Sequence, residues 1–162
     1  MSLIEIKQKN FDKAIKKLDL LRKRGMDAKP VLEKFIDDMK ESIATNYNAQ
    51  GAPYGGRWQG LSAKYKNWKQ KHYGSGQADL VLTGKLRRAA TGDKSAGWYD
   101  KINKNFVEWG IKGIEYAQYH QFGTSKMPQR VFFLPKDNQL PGRVVTNLIL
   151  NLDKYLMNGV AK

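Results

Sequence analysis

One run of apolar residues constrains the fold of this 162-residue chain more than any other feature. These residues recur at helical spacing behind Pro30, a residue that suits the first turn of a helix. They are Val31, Leu32, Phe35, Ile36, Met39, Ile43 and Tyr47. The pattern predicts a long amphipathic helix capped by Asp27, and such a helix needs a hydrophobic core to cover its apolar stripe.

Two further stretches predict amphipathic helices near the two ends of the chain. The first follows a capping Asn10, ends at Gly25, and carries the apolar residues Phe11, Ala14, Ile15, Leu18 and Leu21. The second opens at Pro141, extends to about Met157, and carries Val144, Val145, Leu148, Ile149, Leu152 and Leu156. Each stripe again requires a surface to pack against.

Shorter segments fill the middle of the chain. Residues 48–57 contain three glycines and one proline and therefore predict an irregular loop. A basic helix is expected over residues 63–72, with Ser62 as its cap, and a brief helix over residues 85–90, with Thr83 as its cap. Residues 115–122 predict another short helix, ended by Gly123.

Strand signals are fewer. Residues 96–102 and 106–111 are rich in aromatic and β-branched residues and flank a short polar stretch, which predicts a hairpin. Residues 130–134 and, more weakly, residues 3–7 are expected to be strands. The predicted fold is α+β, in one domain over residues 1–162, with a small antiparallel sheet covered on one face by long helices.

Composition narrows the function classes. Twenty-nine Lys and Arg against fifteen Asp and Glu give a formal charge of +14, which favours an anionic partner, either nucleic acid or an acidic protein surface. The chain has no cysteine, which excludes disulfides and thiolate chemistry. It shows neither a signal peptide nor an apolar run long enough to span a membrane, so we expect a soluble cytoplasmic protein without membrane contact.

Residues that could carry catalysis are sparse. His72 and His120 are the only histidines, and neither has a second ligand at metal-binding spacing. No nucleophile elbow or phosphate loop is complete, so we expect neither an enzyme nor a bound metal or cofactor. The aromatic residues of the hairpin could form a base-stacking platform, but core packing is the favoured interpretation. They are Trp98, Tyr99, Phe106 and Trp109.

Three blocks of residues point to a family. The clearest is Tyr116-Ala117-Gln118-Tyr119-His120-Gln121-Phe122-Gly123, followed after four residues by Pro128-Gln129-Arg130-Val131-Phe132. The others are Gly55-x-x-Trp58-x-x-Leu61-Ser62 and Leu82-Thr83-Gly84-x-Leu86-Arg87. In this order they resemble the signature of the phage virion morphogenesis family, the Mu-type tail-completion proteins. Gly60, Gln129 and Val131 depart from the residues usual in that signature.

The resemblance implies a phage or prophage assembly protein that completes the tail or neck and enables the head and tail to join. It implies other head–tail connector or tail proteins as partners, a homo-oligomeric ring, and a location in the host cytoplasm during assembly and at the head–tail region of the virion. The alternative is a basic protein that binds nucleic acid non-specifically, and an enzyme such as a lysin ranks third.

Individual residues carry narrower expectations. The helix that contains Tyr116, Tyr119, His120 and Phe122 is expected to pack these rings on the sheet. Arg130 could pair with an acidic group inside the subunit or across an interface. Contact with DNA or with an acidic partner is expected first at the lysines of the basic helix, which are Lys64, Lys66, Lys69 and Lys71.

Overall fold

The computed structural model describes residues 8–74, 80–137 and 139–161, with side chains from residue 13 onward. The predicted opening strand at residues 3–7 lies outside this range. Described helices are α1 (Gln8–Gly25), α2 (Lys29–Asn48), α3 (Ala52–Gly55), α4 (Ala63–Tyr73), α5 (Lys85–Ala90), α6 (Ala117–Phe122) and α7 (Gly142–Asn158). A 3-10 turn (Lys94–Ala96) precedes the strands β1 (Trp98–Ile102) and β2 (Val107–Ile111). The α+β class is confirmed.

Helix α2 is the centre of the core. It contacts α7, α5 and β1. Met39 and Ile43 in its apolar stripe are completely buried, and full burial of such a side chain contributes about 1.5–3 kcal/mol. The ring of Tyr47 lies edge-on to Trp58, with centroids 5.4 Å apart. The long stripe therefore organises the structure as the sequence predicts.

The hairpin packs against α2 as predicted. Strands β1 and β2 pair antiparallel, with Trp98 opposite Ile111 and Asp100 opposite Trp109. Trp98 is buried, and the ring of Trp109 lies edge-on to Phe35 of α2 at 5.3 Å. Phe106 is 46% exposed. Core packing thus accounts for the two tryptophans but not for Phe106.

Most predicted helices form, but the N-termini of α1, α2 and α5 differ from the prediction. Helix α1 begins before Asn10, which therefore lies within the helix and not at its cap. The N-cap of α2 is Ala28, and Asp27 Oδ1 accepts from the amide of Lys29 at 3.2 Å. For both Asp27 and Thr83 the structure places the N-cap one residue later than the sequence pattern suggests.

The sequence predicts an irregular loop over residues 48–57, but α3 forms one helical turn within them. Pro53 lies at the start of that turn, where its missing amide hydrogen costs no helical hydrogen bond. Tyr54 is buried, and its hydroxyl donates to Ser42 Oγ at 2.9 Å. The segment therefore has an apolar anchor on α2 that its many glycines obscure.

The predicted strand at residues 130–134 is wrong, since the described sheet contains β1 and β2 alone. Side chains take the place of a neighbouring strand. Gln121 Oε1 accepts from the amides of Phe132 and Phe133 at 3.1 and 3.0 Å, and Gln121 Nε2 donates to Leu134 O at 2.8 Å. Phe133 and Leu134 lie in a bend, and an amide side chain satisfies the backbone of this aromatic segment.

Two side chains from the other side hold the same segment. Trp58 Nε1 donates to Val131 O at 2.8 Å, and Asn46 Nδ2 donates to the same oxygen at 3.1 Å. Asn46 is completely buried in α2. Buried backbone carbonyls need such partners, because an unsatisfied one is costly. The segment is therefore fixed between α6 and α2 without belonging to a sheet.

Helices α1 and α7 contact each other but keep apolar side chains in solvent. Arg24 Nη1 donates to the carbonyl of Leu156 at 2.7 Å and joins the two helices. Leu18 is 65% exposed and Ile149 is 55% exposed, although both lie in stripes that predict burial. The exposed residues of these two stripes, here called the α1/α7 face, are Ile15, Leu18, Ile149 and Leu152. Leu20, Leu150 and Met157 are exposed elsewhere on the same helices.

Candidate interaction groove

The three family-like blocks, which are separate in sequence, meet around one groove of about 760 Å³. Its walls come from the segment that enters α4, from residues 80–86, and from α6 with the loop that follows it. We call it the motif groove. Its signature residues are Leu61, Ser62, Thr83, Gly84, Leu86, Tyr116, His120, Pro128 and Arg130. A cavity of this size falls in the range typical of ligand sites.

The first wall is fixed by the start of α4. Ser62 Oγ accepts from the amide of Tyr65 at 3.3 Å, the N-cap interaction that the sequence predicts. This cap sets the direction in which Leu61 and Tyr65 reach the groove.

The exposure expected for the α4 lysines is wrong at one position. Lys69 is buried, at 4% exposure, and lines the groove. Lys64, Lys66 and Lys71 are exposed, as expected. The lysines therefore divide between two surfaces of α4, because the side of the helix that carries Tyr65 and Lys69 faces the groove while the other lysines face solvent.

The second wall is the turn into α5. Gly84 has a φ of +75°, a conformation that favours glycine, and it occupies the N-cap. Thr83 Oγ1 accepts from the amide of Lys85 at 3.4 Å. Leu86 is buried, whereas Arg87 turns away from the groove and donates to Asn48 Oδ1 at 2.8 Å. This block supplies both a groove wall and a tie to α2.

The third wall is formed by α6 and the loop after it, and its aromatic residues do not pack as the sequence predicts. Tyr116, Tyr119 and Phe122 are 45%, 47% and 66% exposed, so they do not pack on the sheet. The inward positions of this six-residue helix belong to Ala117 and Gln121, four residues apart on one face. Tyr116 and Tyr119 line the motif groove instead.

Two more signature residues support the third wall from behind. Phe132 is 1% exposed and belongs to the core. Gly123 ends α6 with a φ of +74°, and a Cβ there would lie 3.0 Å from the backbone nitrogen of Gln129. Both residues thus position the chain around the groove without lining it.

Arg130 lies at the floor of the groove and is only 7% exposed. Its Nε and Nη2 both donate to the carbonyl of Gln59, at 3.2 and 3.0 Å. The ion pairs found within the described residues do not include Arg130. The described part of the subunit therefore supplies no acidic partner for Arg130, and a neutral carbonyl takes that place. An acidic group across an interface remains the other partner that the sequence suggests.

His120 stands beside Arg130 and is half-buried. Its carbonyl accepts from the Arg130 amide at 2.8 Å, and its ring lies edge-on to Tyr116. Burial, reinforced by the Arg130 charge, lowers the pKa of His120 below its usual value, so the ring is neutral at neutral pH. Among the residues that the structure describes, its buried Nδ1 finds no hydrogen-bond partner.

The groove thus offers positive charge, hydroxyl groups and apolar surface. Its described lining contains Lys69, Lys85, Lys126 and Arg130, and no carboxylate is among those residues. Over the same described ranges, histidines and acidic residues form no group that could hold a metal ion. The described lining is therefore suited to holding an anionic, partly apolar group.

Sequence reasoning missed several of these residues. Gln59, whose carbonyl holds Arg130, carries no recognisable signal because a backbone contact leaves none. Asn46 did carry one, since it is a polar residue next to Tyr47 on the apolar stripe of α2, where burial demands a hydrogen-bond partner. Lys69 is a candidate contact residue from the sequence, but its burial is not expected, because a lysine side chain is seldom buried.

Comparison with known families decides what these blocks represent. The phage virion morphogenesis family matches residues 6–146, which include all three blocks and the groove that they build. The chain belongs to the phage virion morphogenesis family. The resemblance seen in the sequence is therefore confirmed, and the family's role in virion assembly makes this a phage structural or assembly protein.

A curated relative agrees with this assignment. The chain is similar to the Mu-like prophage FluMu G protein 1 of Haemophilus influenzae, with 27% identity over 123 residues, 75% of this chain and 79% of the relative. No solved structure matches the chain. None of the helices in the described ranges is long and apolar enough to cross a membrane.

Proposed function

We propose that this virion morphogenesis protein completes the phage tail or neck, so that head and tail can join. Membership of the family over residues 6–146 carries the proposal. The protein would act as one domain of residues 1–162, without catalysis or cofactor, in the host cytoplasm during assembly and then at the head–tail region of the virion. Its partners would be other connector or tail proteins.

Electron microscopy of particles from a phage or prophage lacking this gene tests the proposal. We expect full heads and finished tails that remain separate. Normal virions would contradict it, and normal virions together with defective replication would favour the nucleic-acid alternative.

We propose that subunits associate into a ring through the α1/α7 face. Leu18, at 65% exposure, and Ile149, at 55%, leave apolar surface in water that monomeric proteins usually cover. Association would bury these side chains, and the removal of their apolar surface from water would stabilise the ring. Ile15 and Leu18 of the α1 stripe, which the sequence predicts to be covered, are exposed and support this role.

Light scattering coupled to size-exclusion chromatography tests the ring. The unmodified protein should show a mass several times that of one subunit at high concentration, and Leu18→Glu should reduce it toward one subunit. Lys17→Glu is the matched control, because it lies next to Leu18 on exposed helix and also adds negative charge. Equal effects of both variants, or a monomer throughout, would contradict the apolar interface.

A second function, non-specific contact with DNA, has its own support. The formal charge is +14, and Lys64, Lys66 and Lys71 lie exposed on α4. Such contact would help to hold the genome end near the joint without reading its sequence, because no base-reading arrangement accompanies the lysines. Sequence-selective binding that resists salt would contradict this form of contact.

A further inference from the structure

The charges that line the motif groove have one sign. Each charged side chain in its described lining is basic, and both Lys69 and Arg130 are largely buried there. The described lining contains no Asp or Glu. Low-dielectric walls concentrate the field of such charges, so the groove favours a negatively charged occupant.

Arg130 shows where the negative charge would lie. At 7% exposure its guanidinium is largely withdrawn from water, and its two defined hydrogen bonds go to the neutral carbonyl of Gln59. A buried cation without a counter-ion is costly, and a carboxylate partner would offset much of that cost. The planar fork of arginine suits carboxylates particularly well.

The remaining walls define what surrounds the carboxylate. Leu61, Leu82 and Met127 give apolar surface, and the half-exposed rings of Tyr116 and Tyr119 border it. Tyrosine rings are typical interface anchors because they bury much area while few rotatable bonds become fixed. A volume of about 760 Å³ accommodates a few residues of an extended chain.

We infer that the motif groove binds an extended segment of another virion protein, in which a carboxylate flanked by apolar side chains pairs with Arg130. The inference rests on the proposed function only for the source of that segment. The chemistry of the groove itself is independent of it. This assigns the signature residues that line the groove, which come from three sequence blocks, to one recognition site.

Nuclear magnetic resonance of the ¹⁵N-labelled full chain tests the inference with two synthetic peptides. The first is acetyl-Leu-Glu-Leu-amide, and the second replaces its Glu with Gln, which has nearly the same shape without the charge. We expect the first peptide to shift the amide signals of Leu82, His120 and Arg130. The second should bind more weakly by a factor of about ten or more. Equal binding, or shifts confined to surfaces outside the groove, would overturn the inference.

Variants sharpen the result. Arg130→Gln should remove the preference for the Glu peptide, whereas Arg143→Gln should retain it, because Arg143 is exposed and pairs with Glu41 at 2.8 Å away from the groove. If Arg130→Gln does not fold, Tyr119→Ala replaces it, since its exposed ring contributes to the groove and little to the core. Unchanged peptide affinity in Tyr119→Ala would then count against the site.

Two other occupants are separated by the same spectra. A twelve-base-pair DNA duplex that shifts the groove signals as strongly as the Glu peptide would overturn carboxylate recognition. Groove signals that move with protein concentration alone would assign the groove to a second copy of this chain and would also overturn it.

Failure of this inference can be told apart from failure of the proposed function. Peptide binding as expected, in a protein whose gene deletion leaves virions normal, would support the groove and contradict head–tail joining. A joining defect without any binding of the Glu peptide would do the reverse.

Discussion

Gln121 provides a sharp test of how the motif holds the fold. Its side chain accepts from two backbone amides and donates to one carbonyl of residues 132–134, at 3.1, 3.0 and 2.8 Å. Gln121→Ala leaves these three groups without that partner. Each orphaned group costs about 1–3 kcal/mol when buried. Phe132 is fully enclosed while its two successors are partly open to water, so we expect a total loss of about 2–4 kcal/mol.

Urea unfolding followed by circular dichroism measures this loss. Gln118→Ala is the matched control, because Gln118 lies on the same helix, is exposed, and has the same side chain. The control should change the free energy of unfolding by less than about 0.5 kcal/mol. The Gln121 variant should also melt about 5–15 °C lower, as expected for a chain of this size. If both variants unfold alike, the side chain does not replace a strand and the reasoning is refuted.

Three further outcomes are expected. Because the pKa of His120 is lowered in the folded protein, its contribution to the free energy of unfolding is fully present above about pH 6.5. That contribution falls as the pH drops further, since the unfolded chain takes up the proton first, and His120→Gln should flatten the slope in urea titrations at several pH values. Gly51→Ala should destabilise far more than Gly56→Ala, because both have positive φ but only at Gly51 would a Cβ overlap the indole of Trp58; thermal melts that rank them equally would contradict this. Duplex DNA binding, measured by fluorescence anisotropy, should weaken with salt at a log–log slope of about −0.9 per phosphate contact; a flat salt response would contradict phosphate contact.

Sequence periodicity predicted the elements whose formation depends on local pattern. Helix α2 follows from its apolar stripe, and the hairpin follows from two aromatic runs around a polar turn. Ser62 caps α4 as predicted because a cap is a contact between near neighbours in the chain. Such features require no knowledge of the rest of the fold.

Features that depend on distant partners were less accessible. Residues 130–134 have the composition of a strand, but whether they join a sheet depends on what lies beside them, and Gln121 lies there. The same limit explains Leu18, whose stripe predicts burial while the described part of the subunit leaves it 65% exposed. The signature blocks identified the family, yet only the fold shows that they converge on one groove.

The most direct test of the assembly role is reconstitution in extracts. Heads and tails would be collected from cells infected with phage lacking this gene, mixed with the purified protein, and assayed for infectious particles. The account predicts that the unmodified protein restores joined, infectious virions without new protein synthesis. Extracts that stay non-infectious, although the same protein supplied from a plasmid during infection restores the phage, would contradict a role at the joining step.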